Sequence, residues 1–152
     1  MAARLDPQPI LAGLRGLFCR EAGRQSLLQY AAERIRAAGP PYTSTYLYML
    51  QDDELVLEAF SGRVTEHARI PVGKGVCGTA VASGQDQNVP DVRAVSNYLA
   101  CNTFTRSELV VLIRRGDAVL GQIDVDSDQL DPFTSDEAAA VRAVADALAV
   151  LL

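Results

Sequence analysis

The stretch Arg69-Ile70-Pro71-Val72-Gly73-Lys74-Gly75-Val76-Cys77-Gly78-Thr79-Ala80-Val81 decides how the rest of the chain is read. Three glycines fall within six residues. Their backbone can take positive φ and turn N–H groups outward, so the segment makes a tight corner or an anion cradle. An apolar run over 76–83 follows with helical character and places the Cys77 thiol near its start, where the helix dipole favours a thiolate. In letters, Gly73-x-Gly75-x-x-Gly78 matches the dinucleotide fingerprint. The preceding Ile70-Pro71-Val72 is short and broken by proline, so the βαβ setting that the fingerprint needs is missing.

Upstream of this turn, Ile10, Leu11, Leu14, Leu17 and Phe18 recur at helical spacing, and Leu27, Leu28, Ala31, Ile35 and Ala38 do so again. They predict two amphipathic helices, the second ending at Gly39-Pro40-Pro41. Residues 43–50 and 55–60 are strand-like and are separated by Asp52-Asp53, the signature of an antiparallel hairpin. Downstream, the polar run over 93–105 reads as a long surface loop of the kind that lids a binding site, and it carries Cys101. Two apolar strands follow over 109–113 and 118–125, joined by the turn Arg114-Arg115-Gly116-Asp117. Thr134 with Glu137 three residues on forms a capping box ahead of a terminal helix. Hairpins flanked by helices at both ends predict an α+β fold, one domain over 1–152 with a central antiparallel sheet.

Composition narrows the function. The chain has 152 residues, 49% hydrophobic and 22% charged, the balance of an ordinary globular domain with a core of its own. Its net charge of −5 works against attraction to nucleic acid or an anionic membrane, so neither is an expected partner. No basic-then-apolar leader opens the sequence and no uninterrupted apolar span crosses a bilayer, which makes a cytoplasmic location the expectation. Cys19, Cys77 and Cys101 are odd in number and widely spaced, unlike a disulfide scaffold or a zinc knuckle. Cys19 follows Phe18 on the apolar face and reads as core, Cys77 is open between a buried and a reactive role, and Cys101, in its polar loop, reads as a functional thiol. His67, the single histidine, reads as an ordinary surface or satisfied polar residue.

Asp124 and Asp126 are two apart on a strand, so their carboxylates project from one face, shared with Gln122. Glu108 begins the neighbouring strand, and the hairpin can bring three carboxylates together. Crowded carboxylates do not all ionise near neutral pH, so one can keep its proton and act as an acid beside a thiol.

Taken together, Arg69 to Val81, Val89-Pro90-Asp91-Val92, Leu99-Ala100-Cys101, Ser107-Glu108-Leu109-Val110, Gly121-Gln122-Ile123-Asp124-Val125-Asp126-Ser127, Gln51-Asp52-Asp53-Glu54-Leu55-Val56-Leu57 and Phe133-Thr134 resemble the GAF-domain free methionine-(R)-sulfoxide reductases, in order over most of the chain. The resemblance implies a GAF fold with helices on one side of the sheet and a lidded ligand pocket on the other, commonly a homodimer. It implies that a cysteine matching Cys101 or Cys77 attacks the sulfoxide sulfur, with Cys101 favoured here for its exposed setting. Glu108, Asp124 and Asp126, with Ser44 and Tyr48 on the first strand, are then the substrate-binding positions. The resulting sulfenic acid is resolved to a disulfide that thioredoxin reduces, and neither cofactor nor metal is implied. The chain departs from the family pattern at His67, where a third cysteine is usual, at Ser44, where a tryptophan is usual, at Tyr46 for glycine, at Asn102 for aspartate and at Leu112 for proline. The alternative class is a non-catalytic GAF module that binds a small ligand or senses oxidants.

Overall fold

The computed structural model describes residues 3–96, 98–99 and 103–152. In chain order the elements are α1 (Pro7–Cys19), α2 (Arg24–Arg36), β1 (Ser44–Gln51), β2 (Glu54–Ser61), β3 (Arg69–Pro71), α3 (Gly75–Ser83), β4 (Gln87–Val89), a 3-10 turn (Val92–Ala94), β5 (Ser107–Arg115), β6 (Ala118–Ser127) and α4 (Ser135–Leu151). The strands form one sheet in the order β3-β2-β1-β6-β5-β4, with every neighbouring pair antiparallel. This is the expected α+β architecture. Two short strands at the edges, β3 and β4, extend the sheet beyond the two hairpins legible in the sequence.

Local chemistry sets the boundaries. Asp6 caps α1 by accepting from the Gln8 N–H, with Pro7 in the first turn where its missing N–H costs nothing. The β1–β2 hairpin closes Gln51 onto Glu54 through Asp52-Asp53, with Asp52 at φ +56°, a position that aspartate tolerates better than most residues.

Side chains alternate across each strand, so the sheet has two different faces. Leu47, Met49, Leu109, Val111, Ile113, Ile123 and Val125 point to one face, where α1, α2 and α4 cover them in the larger core. Tyr46, Tyr48, Val110 and Leu112 point to the other, where α3 and its neighbouring loops supply Ile70, Val76, Cys77, Ala80 and Val92.

Two sequence expectations fail locally. Cys19 is exposed, because α1 buries Ile10 and Leu14 and its last turn rotates Phe18 and Cys19 outward. The capping box is half formed: Thr134 Oγ1 accepts from the Glu137 N–H, but the Glu137 carboxylate does not reach back. It accepts instead from the Arg4 and Leu5 N–H groups and from the Tyr42 hydroxyl, tying the chain's start and the entry to β1 onto α4.

Candidate functional site

The glycine turn is a corner first. Gly73 N–H donates to the Gly78 carbonyl, Lys74 N–H to Pro71 and Gly78 N–H to Lys74, so these three donors are spent on the turn itself rather than held out for an anion. A Cβ at Gly78 would lie 2.6 Å from the Pro71 carbonyl oxygen, which is why strand and helix can meet so closely there. Gly75 sits at φ +64°, and a Cβ on it would lie 2.8 Å from Leu99 Cγ. Leu99 is thereby packed down onto the start of α3.

The corner delivers Cys77 to the polar face of the sheet. The β5–β6 register places Glu108 opposite Asp126 and Val110 opposite Asp124, and β1 continues the row with Ser44 opposite Asp126 and Tyr46 opposite Asp124. Glu108, Asp124 and Asp126 are all buried, and Cys77 Sγ donates to Glu108 Oε2 at 3.6 Å. Cys77, Glu108 and Asp124 present one ligand-capable atom each, all within 4.8 Å of one another.

Burial governs the electrostatics. Desolvation, reinforced by the charge and hydrogen bond of Asp124, pushes the Glu108 carboxyl well above its ordinary range. Desolvation and the nearby Asp126 lift Asp124 to about 7. Asp126 also rises through burial and Glu108, with Arg63 pulling the other way. The Cys77 thiol rises as well, because burial comes first and Asp124 and Glu108 add repulsion. The dipole expectation for Cys77 is therefore overturned: its environment holds it as a neutral thiol, since one helix N-terminus does not outweigh burial among acids.

These groups enclose a cavity of about 20 Å³ lined by Tyr48, His67, Ile70, Gly75, Val76, Cys77, Leu99, Glu108 and Asp124. Tyr48 forms part of the wall and its hydroxyl donates to the His67 carbonyl. Ser44 is buried away from the cavity, its Oγ accepting from the Arg63 N–H under the close-packed Gly62. Asp126 stands across the ladder from Glu108, outside the described lining. Cys101 and Asn102 lie outside the described residues. Sequence reasoning missed His67 as a wall residue, and the available signal was its position immediately ahead of the turn. A larger open groove of about 550 Å³, lined by Glu33, Arg36, Tyr42 and Asp128 among others, has no thiol among its described lining residues.

Comparison with known proteins gives a consistent picture. A family model described as GAF domain matches residues 23–152. The free methionine-R-sulfoxide reductase of Escherichia coli (strain K12) is 34% identical over 137 residues, covering 90% of this chain and 78% of that protein. The X-ray structure of free methionine-R-sulfoxide reductase from Neisseria meningitidis in complex with its substrate superposes with a TM-score of 0.83 at 31% identity, over 93% of this chain and 84% of that one. A type II free methionine-R-sulfoxide reductase from Thermoplasma acidophilum gives 0.80 at 36% identity, over 84% and 90%.

Proposed function

The chain belongs to the GAF-domain family of free methionine-R-sulfoxide reductases, and on that premise we propose that it reduces free L-methionine-(R)-sulfoxide to methionine, with Cys101 as the attacking thiol and Cys77 as the thiol that resolves it. The observation that carries this reading is the contact between a neutral buried thiol, Cys77, and a buried carboxyl, Glu108, with a second acid at about 7 beside them. A sulfoxide oxygen leaves only when it is protonated, and acids that keep their protons near neutral pH supply that proton.

In this reading the Cys101 sulfur, as thiolate, bonds to the substrate sulfur while Glu108 or Asp124 gives a proton to the sulfoxide oxygen. The oxygen transfers to Cys101, which becomes a sulfenic acid, and methionine leaves carrying the two electrons the thiol has lost. The acid that gave its proton is now a carboxylate; where that acid is Glu108, it can take the Cys77 proton across the 3.6 Å contact. Cys77 then attacks the sulfenic sulfur, a disulfide forms and water departs. Thioredoxin, as the dithiol reductant, returns both cysteines to thiols. A cytoplasmic homodimer is the setting this reading assumes.

A cavity of about 20 Å³ holds roughly one water, not an amino acid. Admission of the sulfoxide therefore requires Leu99 to withdraw from Gly75. Tyr48 and Asp124 then border the enlarged space, while burial and the neighbouring Asp126 help Asp124 keep its proton. Ser44 contributes through the Arg63 backbone rather than by touching substrate, and Tyr46, directly across from Asp124, supplies an aromatic ring on the face where the family's tryptophan stands.

The test is methionine release from the sulfoxide, followed chromatographically with dithiothreitol and separately with thioredoxin, its reductase and NADPH. Wild type should turn over in both, Cys101→Ser should release none, and Cys77→Ser should release about one methionine per chain before stalling with thioredoxin. Full activity in Cys101→Ser would move the attack to Cys77. No release from wild type under either reductant would defeat the reading.

A further inference from the structure

We propose that Cys77 Sγ, Glu108 and Asp124 form a three-ligand site for a thiophilic divalent cation, with zinc as the fitting member. The three side chains come from three different elements, α3, β5 and β6, and their donor atoms already lie within 4.8 Å of one another. Tetrahedral zinc, with Zn–S about 2.3 Å and Zn–O about 2.0 Å, separates a sulfur from an oxygen ligand by about 3.5 Å. Cys77 Sγ and Glu108 Oε2 stand 3.6 Å apart, so one edge of the tetrahedron is built without movement.

An independent observation points the same way. Asp124 is only 5% exposed, lines the cavity, and its Oδ1 has no hydrogen-bond partner among the described residues. A buried carboxylate oxygen left unsatisfied is costly unless something arrives to accept its lone pairs. Among the described residues, no lysine or arginine lines the cavity to do so. The cavity volume of about 20 Å³ fits a single water as the fourth ligand, the open position of a three-ligand site. One sulfur among oxygens favours zinc or cadmium over magnesium or calcium, which take oxygen-only shells. Ligation takes Cys77 as thiolate, its proton leaving to solvent, and no electron changes hands. A cation there caps the resolving thiol and both acids, so it would exclude the sulfoxide; that consequence, unlike the binding itself, rests on the reductase reading.

Cadmium titration of the full-length Cys19→Ser/Cys101→Ser protein tests the site, because its one remaining thiol is Cys77. One equivalent should raise a saturating ultraviolet thiolate-to-cadmium band, which zinc displaces and magnesium does not. Adding Cys77→Ser should abolish the band, and adding the isosteric Glu108→Gln or Asp124→Asn should weaken binding at least about tenfold, with circular dichroism confirming that each variant is folded. A band that saturates at the same cadmium concentration with both acids neutralised would reduce the site to a lone thiol and overturn the proposal, as would no band at all. The titration reads substrate-free protein, so a chain without reductase activity would still give the band, and an active reductase without the band would lose only the metal site.

Discussion

Glu108 and Asp126 stand directly opposite each other across the β5–β6 ladder, two carboxyl groups 5% and 3% exposed, with a third buried acid, Asp124, in the next row of the same face. Like charges placed opposite in a sheet repel, and burial multiplies the penalty. The sheet therefore stores protons at this end, which is an unusual thing for a strand pair to do at neutral pH.

Stability should depend on pH through Asp124. Its ordinary value of 3.8 is raised to about 7 in the folded chain. Below the ordinary value both states are protonated and the full contribution is present; between the two values only the unfolded chain ionises, so stability falls as pH rises and levels off above about 7. Urea unfolding near pH 8 should show wild type weaker than near pH 5 by on the order of a few kcal/mol, and Asp124→Asn should lose much of that slope. An identical slope in the variant would remove Asp124 as its cause. In the sulfoxide assay, kcat/KM should decline above about pH 7 as the same proton is lost.

Gln122 is fully buried on the face it shares with Asp124, and both polar atoms of its amide lack partners among the described residues. Replacing an unsatisfied buried group with an apolar one of similar size removes its desolvation cost. Gln122→Leu should raise stability by roughly 1 kcal/mol in urea unfolding. A loss of that size would show that the amide has a partner in solution.

Glu137 accepts from two backbone N–H groups and one hydroxyl, and Tyr42 is held well above its ordinary range by burial and by this carboxylate. Glu137→Ala strands three donors and should cost about 2–3 kcal/mol, read as a lower thermal midpoint. Because Glu137 lies behind the helical side of the sheet, methionine release per folded chain should be unchanged. A midpoint equal to wild type would mean that water replaces the carboxylate at no loss.

His67 stands where the family's third cysteine is usual and forms part of the cavity wall. His67→Cys should speed thioredoxin-driven turnover while leaving the first methionine released per chain at the wild-type rate, since resolution follows the chemical step. An unchanged steady-state rate would show that recycling through the existing cysteines does not limit this chain.

Much of this molecule is legible from periodicity alone. The two N-terminal helices, both hairpins, the final helix and the grouping of Glu108, Asp124 and Asp126 follow from spacing, because helix and strand periods are local properties. What escapes is set by contacts distant in sequence. The edge strands β3 and β4 are three residues each, too short for a pattern, and exist because a neighbour offers them hydrogen bonds. Cys19 turns outward because the buried stripe of α1 runs through Ile10 and Leu14 and leaves the end of its last turn exposed. Cys77 keeps its proton because residues 31 and more positions away bury acids against it, whereas the sequence shows only the helix start. The Glu137 side chain looked like a cap and is a clamp, since its partners lie 95 or more residues upstream.

The two faces of the sheet have different freedoms. Leu47, Met49, Leu109, Val111, Ile113, Ile123 and Val125, backed by three helices, hold the chain together. Ser44, Tyr46 and Leu112, where the chain departs from its family's pattern, all face the other way. The sheet thus works as a partition, with the core that holds the fold on one side and the chemistry of the site on the other. Anyone redesigning this enzyme for another sulfoxide should rewrite positions 44, 46, 48, 112 and 122 together and leave their alternating neighbours untouched.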